Sequence, residues 1–220
     1  MRGLRVLCVG LVAAMFAAGA RATPENPQTT AELVTAVKRA YTGVSSFRAD
    51  FVQTVRNPTM GTENKQKGRI AMEKPRKLRV EVGAPVTSQV MSDGRTLWVY
   101  DVASKSVLET PEATQGNEMG ALLDDLTHLD EVFEVTLVDE KPAKPSHTVR
   151  LIPRKAGNFK SIELTLSRQK YQIQELLLVD QLDNVTEMDF SNLHFNQDVP
   201  DSEFVFVAPA GVQVIRNQNL

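Results

Sequence analysis

From Gly68 to Asp101 the chain reads GRIAMEKPRKLRVEVGAPVTSQVMSDGRTLWVYD, and within it apolar residues fall on alternate positions. Leu78, Val80 and Val82 share one face of an extended segment while Lys77, Arg79 and Glu81 share the other, because strand side chains point alternately to the two sides. A second run of this kind covers Val86 to Met91. Asp93-Gly94 then supplies the positive φ angles of a two-residue hairpin, and Thr96 to Tyr100 returns antiparallel. Strands with one greasy face must join a sheet that covers it, so the stretch predicts a meander of neighbouring strands. Lys74-Pro75 interrupts it, since proline donates no ladder hydrogen bond and belongs at a strand edge, start or bulge. A cation therefore stands where the sheet is broken.

The same signals recur along the chain. Strands are expected at residues 46–55, 65–72, 77–82, 86–91, 96–101, 106–109, 134–140, 147–152, 160–167, 171–180, 185–195 and, as a short last one, 204–207, with turns at Asn57-Pro58, Asp93-Gly94, Gly157-Asn158 and Asp183-Asn184. Short strands in hairpin succession argue for an antiparallel barrel or strongly curved sheet and against parallel βαβ units. Thr29 and Glu32 form a capping box ahead of Leu33, Ala36, Val37, Ala40 and Tyr41, which predicts one amphipathic helix ending at Gly43. Met119, Leu122, Leu123, Leu126, Leu129 and Phe133 also share a helical face. Residues 118–133 thus predict one helix, or two short ones broken near Thr127, with the oily stripe laid on the sheet as a core plug or as a movable cover.

At the amino end, Arg2 and Arg5 precede an apolar run over residues 6–18 that is too short to span a bilayer, followed by Ala18-Gly19-Ala20-Arg21-Ala22. This is the pattern of a cleavable secretory signal, residues 1–22, cut after Ala20 or Ala22. The single cysteine, Cys8, leaves with it, so residues 23–220 are expected to form one domain held by its core and not by disulfides. Basic residues number 25 and acidic ones 27. Cleavage removes Arg2, Arg5 and Arg21 and no acid, leaving a mildly acidic chain poorly suited to nucleic acid.

Catalytic and metal-binding patterns do not emerge. His128, His147 and His194 lie in three different expected elements, outside any H-E-x-x-H, C-x-x-C or G-x-S-x-G arrangement, and there is no glycine-rich phosphate loop. Asn184-Val185-Thr186 fits a glycosylation sequon, but a hairpin turn accounts for it. The expectation is a protein that is not an enzyme and uses no cofactor or metal.

The run E-K-P-x-K-L-R-V-E-V followed by S-D-G-x-T-L-W-V-Y-D resembles the periplasmic outer-membrane lipoprotein carrier family, LolA. So do Ser46-Phe47 with Phe51-Val52-Gln53-Thr54 near the front. At the end, Asp180 to Asn184, Phe190, Asn196, Pro200, Phe204 to Phe206 and Pro209-Ala210-Gly211-Val212 are similar to the family's closing pattern. The resemblance spans nearly the whole mature chain. It implies an α+β, predominantly antiparallel fold: an incomplete, half-open β-barrel of about 11 strands with an N-terminal helix and a helical lid. It implies a monomeric periplasmic chaperone that receives lipoproteins from an inner-membrane lipoprotein-releasing ABC transporter, shields their acyl chains, and delivers them to the outer membrane through a LolB-like acceptor. A carrier of another lipid or glycolipid, and a lipoprotein-sensing domain, are the alternatives.

On that reading the acyl-chain cavity is walled by Phe51, Leu78, Val80, Val82, Val90, Leu97, Val99, Val149, Leu151, Ile162, Leu164, Leu176 and Leu178. Met119, Leu122, Leu123 and Leu126 form the lid. Lys74 stands where the family commonly has an arginine that latches lid carbonyls, here near Leu122 and Leu123. An ammonium lacks arginine's planar fork and makes a looser latch. Trp98 alternates with Leu97 and Val99 and so faces away from them.

Overall fold

The computed structural model describes residues 27, 29–111, 126–138, 145–155, 157 and 159–216. Helix α1 (Thr30–Tyr41) begins at the capping box, where Glu32 N–H donates to Thr29 Oγ1 and Thr29 N–H donates to Glu32 Oε2, both at 3.2 Å. Two otherwise orphaned donors are thereby satisfied. Leu33, Val37 and Tyr41, four apart, form its buried stripe. There follow β1 (Ser46–Asn57), β2 (Thr62–Glu73), β3 (Lys77–Val82), β4 (Ser88–Asp93), β5 (Thr96–Asp101) and β6 (Ser106–Pro111). A 3-10 turn (Leu126–His128) and helix α2 (Leu129–Val132) lead into β7 (Phe133–Leu137), β8 (Ser146–Pro153), β9 (Phe159–Ser167), β10 (Ile173–Asp180) and β11 (Val185–Phe195). The chain closes with a 3-10 turn (Asp201–Phe204) and β12 (Gln213–Arg216).

All twelve strands join one open sheet in the order β12-β6-β5-β4-β3-β2-β1-β11-β10-β9-β8-β7. The first strand lies in the middle, with the β2 to β6 meander running off one side and β11 back to β7 off the other. Pairing is antiparallel throughout except for β12, which adds to β6 in parallel. The half-open, mostly antiparallel architecture expected from the sequence is what the chain adopts.

The two faces of the sheet bury different partners. On the inner face α1, Leu126 and Leu129 pack with Phe133 on Phe47, Ala49, Phe51, Ile70, Met72 and the inward residues of β8 to β11. On the outer face the C-terminal segment lies across β2 to β5. Phe204, fully buried, meets Ala71 and Val199, and Phe206 meets the Tyr100 ring at 5.3 Å between centroids.

Three local expectations need correction. Of the Asp93-Gly94 pair, Gly94 alone has a positive φ, 88°. Asp93 turns the hairpin instead by accepting the N–H groups of Arg95 and Thr96 at 2.8 Å on its Oδ1, an Asx turn that needs no left-handed residue there. The strand expected at 204–207 does not form, because Phe204 is drawn down onto the outer face at the end of a 3-10 turn. The free edge of β6 is taken by Gln213–Arg216 instead. The helical stretch expected to reach Phe133 ends at Val132, where Phe133 opens β7. Its described part is two short pieces meeting at His128, next to the break foreseen near Thr127.

Candidate functional site

Strand registers show how the inner face is tiled. One cross-strand row runs Ala49, Ile70, Val80, Val90, Val99, Leu108, Ile215, each directly opposite the next on β1, β2, β3, β4, β5, β6 and β12. Its exposure is uneven along the row: Val80 is 8% exposed, Val90 half-buried, Val99 40% exposed, Leu108 half-buried again and Ile215 47% exposed. Beside it, Leu78, Ser92, Leu97 and Thr110 form a second row that is buried throughout. On its other side Val82 is followed by Ser88, Asp101, Ser106 and Gln213, a polar border.

The expected wall residues therefore divide. Phe51, Leu78, Val149, Leu151, Ile162, Leu164, Leu176 and Leu178 are buried in the continuous core under α1, Leu126 and Leu129. Val82 and Val90 pack at its margin. Val80, buried in the same core, lies with Leu97 and Val99 in the two rows on the β3 to β5 side. Met119, Leu122 and Leu123 lie outside the described residues, and Leu126 is buried against the core. Lys74 is half-buried, joined to Pro75 by a cis peptide, and its backbone N–H donates to the Ser45 carbonyl at 2.9 Å. That bond ties the β2–β3 turn to the entry of β1. Sequence reasoning did not name Leu108 and Ile215. Leu108 has the same alternation as Val99, whereas Ile215 sits in a four-residue strand with no distinctive local pattern.

Two contacts fasten α1 over the filled half. The Tyr41 hydroxyl accepts the Ile173 N–H at 3.3 Å, and burial pushes the phenol up to about 12. At the other end of the helix, Thr30 Oγ1 accepts the Leu137 N–H at 3.1 Å.

The outer face is polar. A cavity of about 650 Å³ opens there, lined by Arg48, Asp50, Arg69, Arg79, Glu81 and Glu203 among others. Its charges are mostly paired: Arg48 with Glu203 at 2.7 Å, and Arg69 and Arg79 with Glu81 at 2.9 and 2.5 Å. Burial pushes Glu81 up, but the hydrogen bond and charge of Arg79, helped by Arg69, outweigh it and hold the carboxyl below its usual range. This is an ion-pair network, not an apolar hollow. Trp98 is also on the outer face, its Nε1–H donating to Glu109 Oε2 at 3.4 Å. Glu175, Glu187 and Asp189 bring carboxylate oxygens within 4.8 Å of one another, and Arg56 already pairs with Glu187 at 2.7 Å. The histidines are apart: His128 and His194 are exposed, and His147 is buried with its ring stacked on Tyr171 at 6.2 Å.

Known proteins match this chain along most of its length. An outer-membrane lipoprotein carrier protein from Bordetella avium is 30% identical over 175 residues, covering 79% of this chain and 82% of that one. One from Chromobacterium violaceum is 28% identical over 207 residues, 93% and 95% of the two chains. The crystal structure of an uncharacterized conserved protein from Thermus thermophilus shares the fold, with a TM-score of 0.53 over 85% of this chain and 98% of that one at 12% identity. Residues 42–207 match the family model described as outer membrane lipoprotein carrier protein LolA, a span from the end of α1 to the C-terminal segment on the outer face, and the chain belongs to the LolA family.

Proposed function

We propose that this chain is a periplasmic, non-enzymatic carrier that takes up lipoproteins released at the inner membrane, keeps their acyl chains out of water, and passes them to an acceptor at the outer membrane. The observation that carries the reading is the division of the inner face. One half is a solid core that holds the fold together, and the other carries a partly open aliphatic row between a buried row and a polar border that includes Asp101. Family membership supports a lipoprotein as cargo, and the signal pattern over residues 1–22 supports export. No helix of the described residues is long and apolar enough to cross a membrane.

Energetics favour this division of labour. Removing an acyl chain from water is worth about 0.8 kcal/mol per methylene, on the order of 10 kcal/mol for a chain of about sixteen carbons. A deep preformed pocket would hold such cargo too tightly for release, whereas a surface whose cover competes with cargo permits downhill transfer. Lys74, at the interruption between β2 and β3, is our candidate for the group that holds the cover closed, with Met119, Leu122, Leu123 and Leu126 as the cover. The donor would be an ABC-type lipoprotein-releasing complex and the acceptor a LolB-like protein.

Purification of the mature protein from its own periplasm, followed by mass spectrometry of what accompanies it, tests the reading. Triacylated proteins are expected. Free phospholipids or glycolipids alone would redirect it to another lipid, and preparations consistently free of lipid in a strain with active lipoprotein export would overturn it.

A further inference from the structure

Two neighbouring hairpins of the sheet are built alike at their tips. Between β1 and β2 the Met60 N–H donates to Asn57 Oδ1 at 2.8 Å, and between β10 and β11 the Leu182 N–H donates to Asp180 Oδ1 at 2.8 Å. In each turn a side-chain oxygen braces the backbone and satisfies its donor, while the residue so held puts a large apolar side chain into water: Met60 is 73% exposed and Leu182 74%. Arg56 on β1 stands opposite Val185 on β11, so the two turns lie side by side at one end of the sheet. Two strand spacings of roughly 4.8 Å set the tips on the order of 10 Å apart. Charge is scarce or compensated there. Residues 57–62 read Asn-Pro-Thr-Met-Gly-Thr. Asp183, next to Leu182, pairs with Lys160 at 2.7 Å, and Arg56 pairs with Glu63 and Glu187 at 2.9 and 2.7 Å. Strand direction brings three more exposed aliphatics to the same end: Val102 after β5, Val132 before β7 and Ile152 near the close of β8.

We propose that this end of the molecule touches a lipid bilayer, with Met60 and Leu182 entering the boundary between headgroups and acyl chains. A lone exposed leucine asks for no explanation; two large apolar side chains on matching, braced turns side by side do. Their arrangement selects the partner. A stable protein interface takes about 800 Å² from each side, contiguous and matched in shape, and two protruding tips with three scattered neighbours do not make such a surface. A fluid bilayer yields around separate points and asks for no matching pockets. Insertion also requires that backbone donors at the tip be satisfied before water is lost, and the bonds from Met60 and Leu182 to Asn57 and Asp180 meet that requirement. With the neighbouring charges paired, apolar insertion and not attraction to anionic lipid drives the contact. The proposal goes beyond the carrier reading and makes no use of where cargo is held.

The test uses the mature protein and two sets of vesicles, one of phosphatidylcholine alone and one of phosphatidylethanolamine with phosphatidylglycerol. Flotation measures the bound fraction, and unchanged melting temperatures check folding of each variant. Met60→Ser with Leu182→Ser should lower the partition coefficient at least fivefold on both sets, and Val205→Ser, an exposed position on the C-terminal segment, less than twofold. Raising NaCl from about 0.1 M to about 0.5 M should change wild-type binding less than twofold. Cys8, the chain's one cysteine, falls in the signal pattern, so Thr59→Cys and Arg95→Cys each give a single labelling site. An environment-sensitive fluorophore beside Met60 should shift to the blue with vesicles, and one at Arg95, in the β4–β5 turn at the opposite end, should not. A wild type that does not float, or a folded double-serine variant that floats as well as wild type, overturns the contact. So does binding confined to the anionic vesicles and lost in salt, which is charge adsorption. Transfer to a detergent-solubilised acceptor, with no vesicles present, that depends on the two tips overturns it in favour of a protein partner. Uptake of a triacylated peptide by the wild type is measured separately, and its failure counts against the carrier reading and not against the bilayer contact.

Discussion

Phe51 and Gly68 are partners across β1 and β2, and the Phe51 ring fills the place where a β-carbon on residue 68 would stand. The backbone carbonyl of Glu81 crowds the same point. Phe51 is buried and meets the Phe190 ring edge-on at 6.3 Å between centroids. Glycine here lets an aromatic ring pack directly against the backbone at the centre of the sheet, next to the partly open row.

Gly68→Ala should therefore be costly even though alanine is a small residue. One obstacle, the Phe51 ring, is packed in the core, and the other is main chain. Overpacking of this kind costs about 1–3 kcal/mol, a fall in Tm of roughly 2–12 °C for a chain this long. Thermal denaturation followed by circular dichroism measures it, and an unchanged Tm would mean that the ring has room to move.

Tyr41 makes stability pH-dependent in alkali. Its phenol titrates near 10 when unfolded and at about 12 in the fold, because burial disfavours the phenolate. Between those values the folded chain retains a proton that the unfolded chain has given up, so stability falls as pH rises from 10 to 12. Urea unfolding at about pH 9 and about pH 11, on either side of the unfolded value, should show a larger loss for wild type than for Tyr41→Phe. Near neutral pH the same variant should be less stable by about 1–3 kcal/mol, since the Ile173 N–H loses its acceptor.

Glu175 acts in the same direction over a lower pH range, so its cost is already present at neutral pH. Burial, then the charges of Asp189 and Glu187, hold its carboxyl above the usual range. Below its unfolded pKa it contributes nothing to the balance, and above its folded pKa the full penalty of ionising it in the fold is present. Glu175→Gln should gain stability near neutral pH, by no more than about 0.5 kcal/mol for a partly exposed site, and the gain should vanish as the pH falls toward about 4. Denaturant midpoints at the two pH values decide the matter.

Phe204→Ala should release the outer face without emptying the inner core. The side chain is wholly buried against Ala71 and Val199, with Lys77 Nζ 5.9 Å from its ring centre. Its removal should cost about 3–5 kcal/mol. Hydrogen exchange should quicken first in the segment after residue 204, while β8 to β11 remain protected.

Lys74→Leu removes the cation proposed to hold the cover closed. The variant should still take up lipoprotein but release it at least tenfold more slowly to an acceptor. Transfer from purified, loaded protein measures this, and wild-type transfer would remove Lys74 from that role.

Some of this was written locally in the chain. The Thr29–Glu32 box and the stripe Leu33, Val37, Tyr41 specify α1 because capping and helical periodicity depend on residues a few positions apart. Leu78, Val80 and Val82 share a face because a pleat alternates wherever the strand is placed. Other features became visible only when the chain was folded. Alternation has the same form whichever face turns inward, so it did not distinguish Val149 to Leu178, sealed beneath α1, from Val90 and Val99, left half open. Nor did it show Leu108 and Ile215 in one file, since a cross-strand row is made of residues far apart in sequence.

The amino-acid sequence determined which segments are extended, where they turn, and which side chains travel together. Tertiary structure decided which strand lies beside which, that Phe204 goes to the outer face, and that Gln213–Arg216 takes the free edge of β6. The physical reason is range. Periodicity, capping and turn chemistry act between neighbours in sequence, whereas pairing and burial depend on surfaces that exist only once distant segments have met.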